Sequence, residues 1–314
     1  MSSNIREHRT EILASSNTDS SSGPLTESVR LDGLLVPCFI DIEWIKSMKD
    51  MKLRPDDIWI VTFPKCGTTW TQQIVRLIVN RGKDNGVVIE EAVPWVEGFS
   101  VLPNRGFKYY VDVDKMASPR AFKSHLPYEM MPCGLPSSTP GRYINVVRNP
   151  KDVAVSYFHH YNSYPYYPHY EWDNFIDLFI KGELEYGDFF DHILSWWAHR
   201  GDDNVLILKY EDMKKDLPSA VAKIAKFIGQ DISKELVEEI AHRTTFESMK
   251  NDSTANYEQL RKFKVPTRTD FMRKGIVGDW KNYFTPEQAA RLDAVYDEKM
   301  KGTGIDLEFH GIRA

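Results

Sequence analysis

The chain has 314 residues, of which 42% are apolar and 27% charged, and its 45 acidic and 40 basic side chains leave a formal net charge of −5. That composition supports a sizeable core in one large α/β domain or two smaller ones, and it excludes collagen-like, coiled-coil and wholly disordered chains. A mildly acidic balance argues against nucleic-acid binding through bulk electrostatics, so an anion site has to be local.

Residues 1–28 are rich in Ser, Asn, Thr and Asp and poor in large apolar groups, so they bury too little surface to offset the entropy of ordering them. A flexible Ser-rich tail is expected there, with a single domain over 29–314. The tail has no apolar signal region, and no run of about 18 apolar residues follows it. Cys38, Cys66 and Cys133 show no CxxC spacing, so neither a disulfide framework nor a zinc site is supported. These features predict a cytoplasmic protein without a membrane span.

Residues 57–63 read as a buried strand closed by Pro64 and Gly67, and apolar Trp70, Ile74, Leu77 and Ile78 predict a helix over 69–80. Ala121 and Phe122 look like another strand tip, opening into Lys123, Ser124 and His125. The strand-to-helix pattern returns at 143–148, where Asn149 can cap a helix and Pro150 suits its first position. It returns again at 204–208, running through Tyr210, Glu211 and Asp212 into a helix over 218–228. Near-continuous apolar strands separated by helices imply an α/β fold with a central parallel sheet flanked by helices on both faces. Ligands of such sheets sit beyond the carboxyl ends of the strands, which directs attention to the loops after Phe63, Val147 and Leu208.

The first of these loops carries Lys65, Cys66, Gly67, Thr68 and Thr69. A glycine that lets backbone approach closely, two hydroxyls at a helix start and one lysine all aim at a single anionic group, a phosphate or sulfate. An ATP-type loop needs the order G-x-x-x-x-G-K-[ST], whereas Lys65 here precedes Gly67. Arg148 at the second strand end and Ser156 on the following helix can share one phosphate, although Arg148 pairing with Asp152 is the plainer alternative. Arg273, Lys274 and Gly275 form a basic turn suited to an anion clamp. His125 has the intrinsic pKa of a general base near neutral pH. The aromatic tract over 157–170 suits either an apolar acceptor pocket or a tyrosine-rich edge of the core, and its histidines lack metal-ligand company, so no metal is assigned.

In this order the segments resemble the cytosolic sulfotransferase family, which uses 3′-phosphoadenosine 5′-phosphosulfate (PAPS). The likeness rests on PKCGTTW at 64–70, KSHLP at 123–127, VVRNPKDVAVSY at 146–157, KYEDM at 209–213 and RKGIVGDWKNYFT at 273–285. The resemblance implies a P-loop-like phosphosulfate loop after the first strand, formed by Lys65, Cys66, Gly67, Thr68, Thr69 and Trp70. It implies that Arg148, Ser156, Arg273, Lys274 and Gly275 receive the 3′-phosphate, with Tyr210, Thr244, Phe246, Met249, Phe271 and Met272 near the nucleotide. His125 becomes the base, with Lys123 beside it, and the sulfuryl group passes to a small-molecule acceptor, leaving 3′-phosphoadenosine 5′-phosphate (PAP). Phe99, Phe107, His160 and Tyr257 are the acceptor-side candidates.

Two departures from the family pattern stand out. Cys66 replaces the usual serine after the loop lysine, so altered tuning of Lys65 is expected. The family's dimer segment, KxxxTVxxxE, keeps Lys281 and Thr285 but has Pro286 and Ala290 for the valine and glutamate, which puts the usual homodimer in question. An ATP-dependent small-molecule kinase, with Glu211 or Asp212 as its magnesium-binding acid, is the nearest enzyme alternative. A nucleotide-binding regulator without turnover is the other.

Overall fold

Four short strands carry the centre of the molecule, and a computed structural model describes residues 29–37, 40–98, 113–131, 133–163, 167–257 and 271–307. The expected tail over 1–28, and with it Phe99 and Phe107, lies outside the described residues. The description begins with a hairpin of β1 (Val29–Leu31) and β2 (Leu34–Val36), turning through Asp32 and Gly33, both at positive φ. After α1 (Ile42–Ser47) come β3 (Ile58–Val61), α2 (Thr68–Val79), α3 (Ile89–Ala92), β4 (Ala121–Ser124), β5 (Arg142–Val147) and α4 (Pro150–Ser163). Then follow α5 (Trp172–Lys181), α6 (Phe189–Trp197), β6 (Val205–Lys209), α7 (Tyr210–Lys215), α8 (Leu217–Phe227), α9 (Lys234–Arg243), α10 (Phe246–Asn251) and α11 (Pro286–Met300).

The sheet runs β4-β3-β5-β6 with every pairing parallel. All four residues of β3 are buried because the two faces of the sheet feed two cores. Ile58 and Ile60 pack with Ile74, Val221 and Ile240 on one face, while Trp59 and Val61 pack with Phe122, Tyr143 and Trp196 on the other. This is why the strands read as unbroken apolar runs instead of alternating ones. From β3 the chain steps to β4 on one side and then crosses to β5 on the other, so strand order reverses at β3. The crevice outside the carboxyl ends at that reversal is where such a sheet holds ligands.

Three local readings shift. Lys123 and Ser124 belong to β4 itself, and the polar Ser124 is tolerated there because its hydroxyl bonds to the buried Glu97. The helix after β3 begins one residue earlier than expected, at Thr68, because Gly67 in the left-handed region forms its N-cap. Tyr210, Glu211 and Asp212 are helical, forming the first turn of α7, and Asp216 then caps α8 through the Ser219 amide.

Candidate active site

The loop after β3 is locked before it reaches solvent. Thr62 and Thr68 hydroxyls lie 2.6 Å apart across its base, and the Cys66 amide donates to the Phe63 carbonyl at 3.3 Å. Between them Lys65 takes φ 71° and Gly67 φ 110°, both in the region L side chains avoid. Gly67 is required twice over, since a Cβ there would also come to 3.0 Å from the Tyr210 ring. The turn presents the first-turn amides of α2, which have no intrahelical acceptor, together with the positive end of the helix. Cys66 is fully buried, and desolvation pushes its thiol pKa up, keeping it neutral.

Cations gather above this turn. The Lys65 Nζ lies 4.8 Å from the centre of the Phe271 ring, that of Lys123 4.5 Å from Trp95, and the Arg148 guanidinium 4.2 Å from Tyr210. Desolvation, followed by the charges of Lys123, Arg148 and Arg273, pulls the Lys65 pKa down to about 7. Three cations that disfavour charge on a fourth, Lys65, mark a place where an anion relieves repulsion. Arg148 does not pair with Asp152. It donates to the Lys65 carbonyl at 3.0 Å and the Ile276 carbonyl at 3.3 Å, and its buried Nε has no protein partner. Asp152 instead accepts from the Gly278 and Trp280 amides at 2.7 and 3.0 Å, tying the 273–282 turn to α4, where Ser156 stands partly exposed.

In that turn Arg273 and Lys274 both ion-pair with Asp279, at 2.6 and 2.7 Å. Gly275 at φ 63° brings its backbone against Phe246, where a Cβ would come within 2.2 Å of the ring. Beside it the Trp70 indole donates to the Thr244 carbonyl at 2.7 Å and meets Tyr210 edge-on. Met249 is buried, Met272 is partly exposed, and Phe271 lies against Tyr257 at 4.4 Å. Contacts thus link Lys65 with Phe271, Arg148 with the Lys65 loop, Ile276 and Tyr210, Trp70 with Thr244 and Tyr210, and Gly275 with Phe246.

On the other side of β3, His125 follows β4 directly. Its Nδ1 lies 2.8 Å from the Thr62 carbonyl, which can only accept, so Nδ1 carries the proton and Nε2 keeps its lone pair. Glu97 accepts from the His125 amide, and His192 donates to the His125 carbonyl at 3.1 Å. Desolvation, with the charges of Lys123 and Lys65 added, holds the imidazole pKa well below its usual value. The ring is therefore an unprotonated base at neutral pH. Lys123 is drawn down to about 8 by burial, opposed by Glu97 and Glu90. Burial and the charges of Lys65 and Lys123 also depress the His160 pKa strongly, which places that ring near the same cations. Tyr257 joins the two sides, with its ring 5.7 Å from the Lys123 Nζ and tilted against Phe271 beneath Lys65.

Residues that sequence reasoning missed include Thr62, Trp95, Glu97, Tyr186 and Asp279. Trp95 and Tyr186 sandwich His125 edge-on, with ring centres 5.4 and 5.3 Å away. The available signal was a lone acid, Glu97, in the apolar run VPWVE, because a buried carboxylate needs specific donors. The acids that a kinase would need are placed otherwise. Glu211 is buried and accepts the Asn149 amide at 2.9 Å, and Asp212 is exposed. Among the described residues no group of His, Cys, Asp or Glu is arranged to hold a metal ion, and no helix is long and apolar enough to cross a membrane.

A family model described as Sulfotransferase domain matches residues 55–304. The chain is 38% identical to the amine sulfotransferase of Oryctolagus cuniculus over 270 residues, covering 83% of this chain and 86% of that one. It is also 38% identical to sulfotransferase 1B1 of Mus musculus over 272 residues, covering 85% and 89%. Among solved structures, mouse sulfotransferase SULT7A1 complexed with PAP aligns with a TM-score of 0.71 at 33% identity, covering 88% of this chain and 94% of that one. Retinol dehydratase in complex with androsterone and inactive cofactor PAP aligns with a TM-score of 0.76 at 26% identity, covering 89% and 90%.

Proposed function

The chain belongs to the sulfotransferase family, and from that premise we propose how its residues divide the work of sulfuryl transfer. The activity is PAPS-dependent transfer of a sulfuryl group to a small-molecule acceptor, leaving PAP. PAPS supplies the sulfuryl group, and the protein supplies charge, orientation and a proton acceptor.

In our reading the acceptor is a hydroxyl or amine, in keeping with relatives named for an amine or crystallised with androsterone. His125 Nε2 takes its proton as the new bond to sulfur forms, with Lys123 beside it. Lys65 faces the charge left on the bridging oxygen of the departing phosphate, and the first-turn amides of α2 share that load. Arg148, Ser156, Arg273, Lys274 and the Gly275 backbone hold the 3′-phosphate. Trp70, Tyr210, Thr244, Phe246, Met249, Phe271 and Met272 bound the adenosine, and His160 and Tyr257 face the acceptor. One domain spans 29–314 and remains in the cytoplasm. The homodimer is disfavoured, since Pro286 opens α11 behind a Thr285–Gln288 capping box and Ala290 is exposed where the family pattern has glutamate.

The observation that carries this reading is the gathering of an unprotonated imidazole and the charges of Lys123, Arg148 and Arg273 around Lys65, with Glu211 accepting from the Asn149 amide. The test is thermal unfolding with PAP against ATP plus magnesium, where selective binding raises the midpoint. PAP should stabilise the protein more, and Arg148→Ala should lower PAP affinity by roughly tenfold or more. A larger shift with ATP and magnesium would favour the kinase.

The lowered Lys65 pKa adds a pH signature. Above about 7 the ammonium of the nucleotide-free protein loses its proton, and a bound polyanion restores it, up to the ordinary value of 10.5. PAP binding should therefore take up close to one proton at pH 8.5, and affinity should fall by up to about tenfold per pH unit above 7. Titration calorimetry in buffers of different ionisation heat measures both. Affinity independent of pH from 7 to 9 would remove Lys65 from the nucleotide site.

A further inference from the structure

The clamp proposed for the 3′-phosphate already contains an anion. Asp279 is 3% exposed. One carboxylate oxygen accepts from Lys274 at 2.7 Å and from the Asn282 amide at 2.9 Å, and the other lies 2.6 Å from Arg273. Both cations are thus neutralised in part from behind, while their side chains stay open on the other side, with 22% exposure for Arg273 and 43% for Lys274. The carboxylate is also fixed. It opens a turn of 3-10 helix, Asp279–Asn282, whose neighbouring amides at Gly278 and Trp280 are held by Asp152 on α4. Burial alone would raise its pKa, but the bonds from Lys274, Asn282 and Arg273 hold it at about 2, so it stays ionised at any working pH.

We propose that Asp279 is an internal counter-anion that competes with the nucleotide's 3′-phosphate for Arg273 and Lys274 and so limits how tightly the clamp holds donor and product. The proposal rests on the reading that 273–275 receive that phosphate. Asp279 acts through the two cations and is a positioning residue. A phosphate entering this clamp has to share cations with a carboxylate that cannot retreat, and like charges brought that close repel strongly in a partly desolvated site. Donor and product both carry the 3′-phosphate, so the penalty falls on both alike. Binding given up equally in ground and transition states costs affinity without slowing the chemical step. It also speeds departure of the product, the step that limits turnover in many enzymes. An Asp279 that merely aimed the two cations would have the opposite effect when removed, because the clamp would loosen.

The full-length Asp279→Asn variant separates the two. Asparagine keeps the shape and one acceptor oxygen for Lys274 and Asn282, and removes the charge. Calorimetry with PAP and with adenosine 5′-monophosphate, which lacks the 3′-phosphate, should show PAP bound about tenfold tighter and the monophosphate unchanged. PAP dissociation measured by stopped flow should slow, and kcat should fall with it. Unchanged or weaker PAP binding, or an equal gain for the monophosphate, overturns the proposal. Asp279→Ser, which leaves room for a water to meet Lys274 and Asn282, has to change PAP affinity in the same direction, and covers the case where the asparagine variant folds poorly. Arg273→Ala tests the underlying reading separately. If PAP affinity ignores that change, the 3′-phosphate assignment fails, whereas failure of the Asp279 variants alone condemns only the counter-anion.

Discussion

Replacing His125 with alanine is expected to lower turnover by about 10² to 10⁴-fold while PAP binding is kept. The expectation rests on how the ring is held. Thr62 fixes the Nδ1 proton, the His125 amide is anchored on Glu97, and Trp95 and Tyr186 clasp the ring edge-on. Nε2 is left as the lone pair, and burial, with the nearby lysine charges added, keeps it unprotonated. None of these contacts involves the nucleotide clamp, so the loss belongs in kcat and not in PAP affinity. Alanine also strands the Thr62 carbonyl in a buried site, at a stability cost of about 1–3 kcal/mol. A His125→Gln variant is therefore measured alongside, as a control that preserves a donor. Turnover within a few-fold of the parent in a folded variant would reject the general-base role.

The second large effect is expected for Lys65→Met, which should reduce kcat by about 10² to 10³-fold, the usual consequence of removing a charge aimed at a developing anion. Methionine keeps the apolar stem that lies over Phe271, and the strained backbone at φ 71° is unaltered in kind. PAP affinity should fall as well, because the charge that a bound polyanion draws back onto Lys65 is absent, and saturating PAPS leaves the loss in kcat to be read on its own. Part of that loss is offset, because the charges of Lys123, Arg148 and Arg273 each disfavour an ammonium at Lys65. Steady-state kinetics at saturating PAPS, with calorimetry for PAP, distinguishes the terms. A raised Kd with kcat intact would make Lys65 a binding residue only.

Much of the donor side was readable from the chain. The run over 57–63, with Pro64 and Gly67 behind it, forces a strand and a tight turn, and the sequential order of Lys65, Gly67 and the two threonines survives into the folded loop because all of it is local. What stayed hidden depends on partners distant in sequence. That Arg148 would bond to the Lys65 and Ile276 carbonyls, leaving Asp152 for another turn, follows from which strands are neighbours and not from spacing along the chain. Asp279 looked like one more surface acid beside a basic turn. The aromatic tract was ambiguous for a similar reason. Tyr157 and Tyr161 pack against Phe175 in the core, while His160, one residue earlier than Tyr161, lies among the site's cations. Residue type alone cannot separate the faces of a helix none of whose residues is exposed, polar ones included.

His125 follows β4 directly, and Lys65 sits in the loop between β3 and α2, so both are carried by the sheet. The 273–282 turn has a different mount. Asp152, Lys151 beneath Trp280, and His159 bonded to Tyr283 fasten it to α4, and Arg148 spans the gap to the Lys65 loop. On the proposed assignments, the reacting atoms and the nucleotide's far phosphate ride on separate supports. A slight tilt of one helix can relax the hold on the spent nucleotide without disturbing the alignment in which the sulfuryl group changes hands.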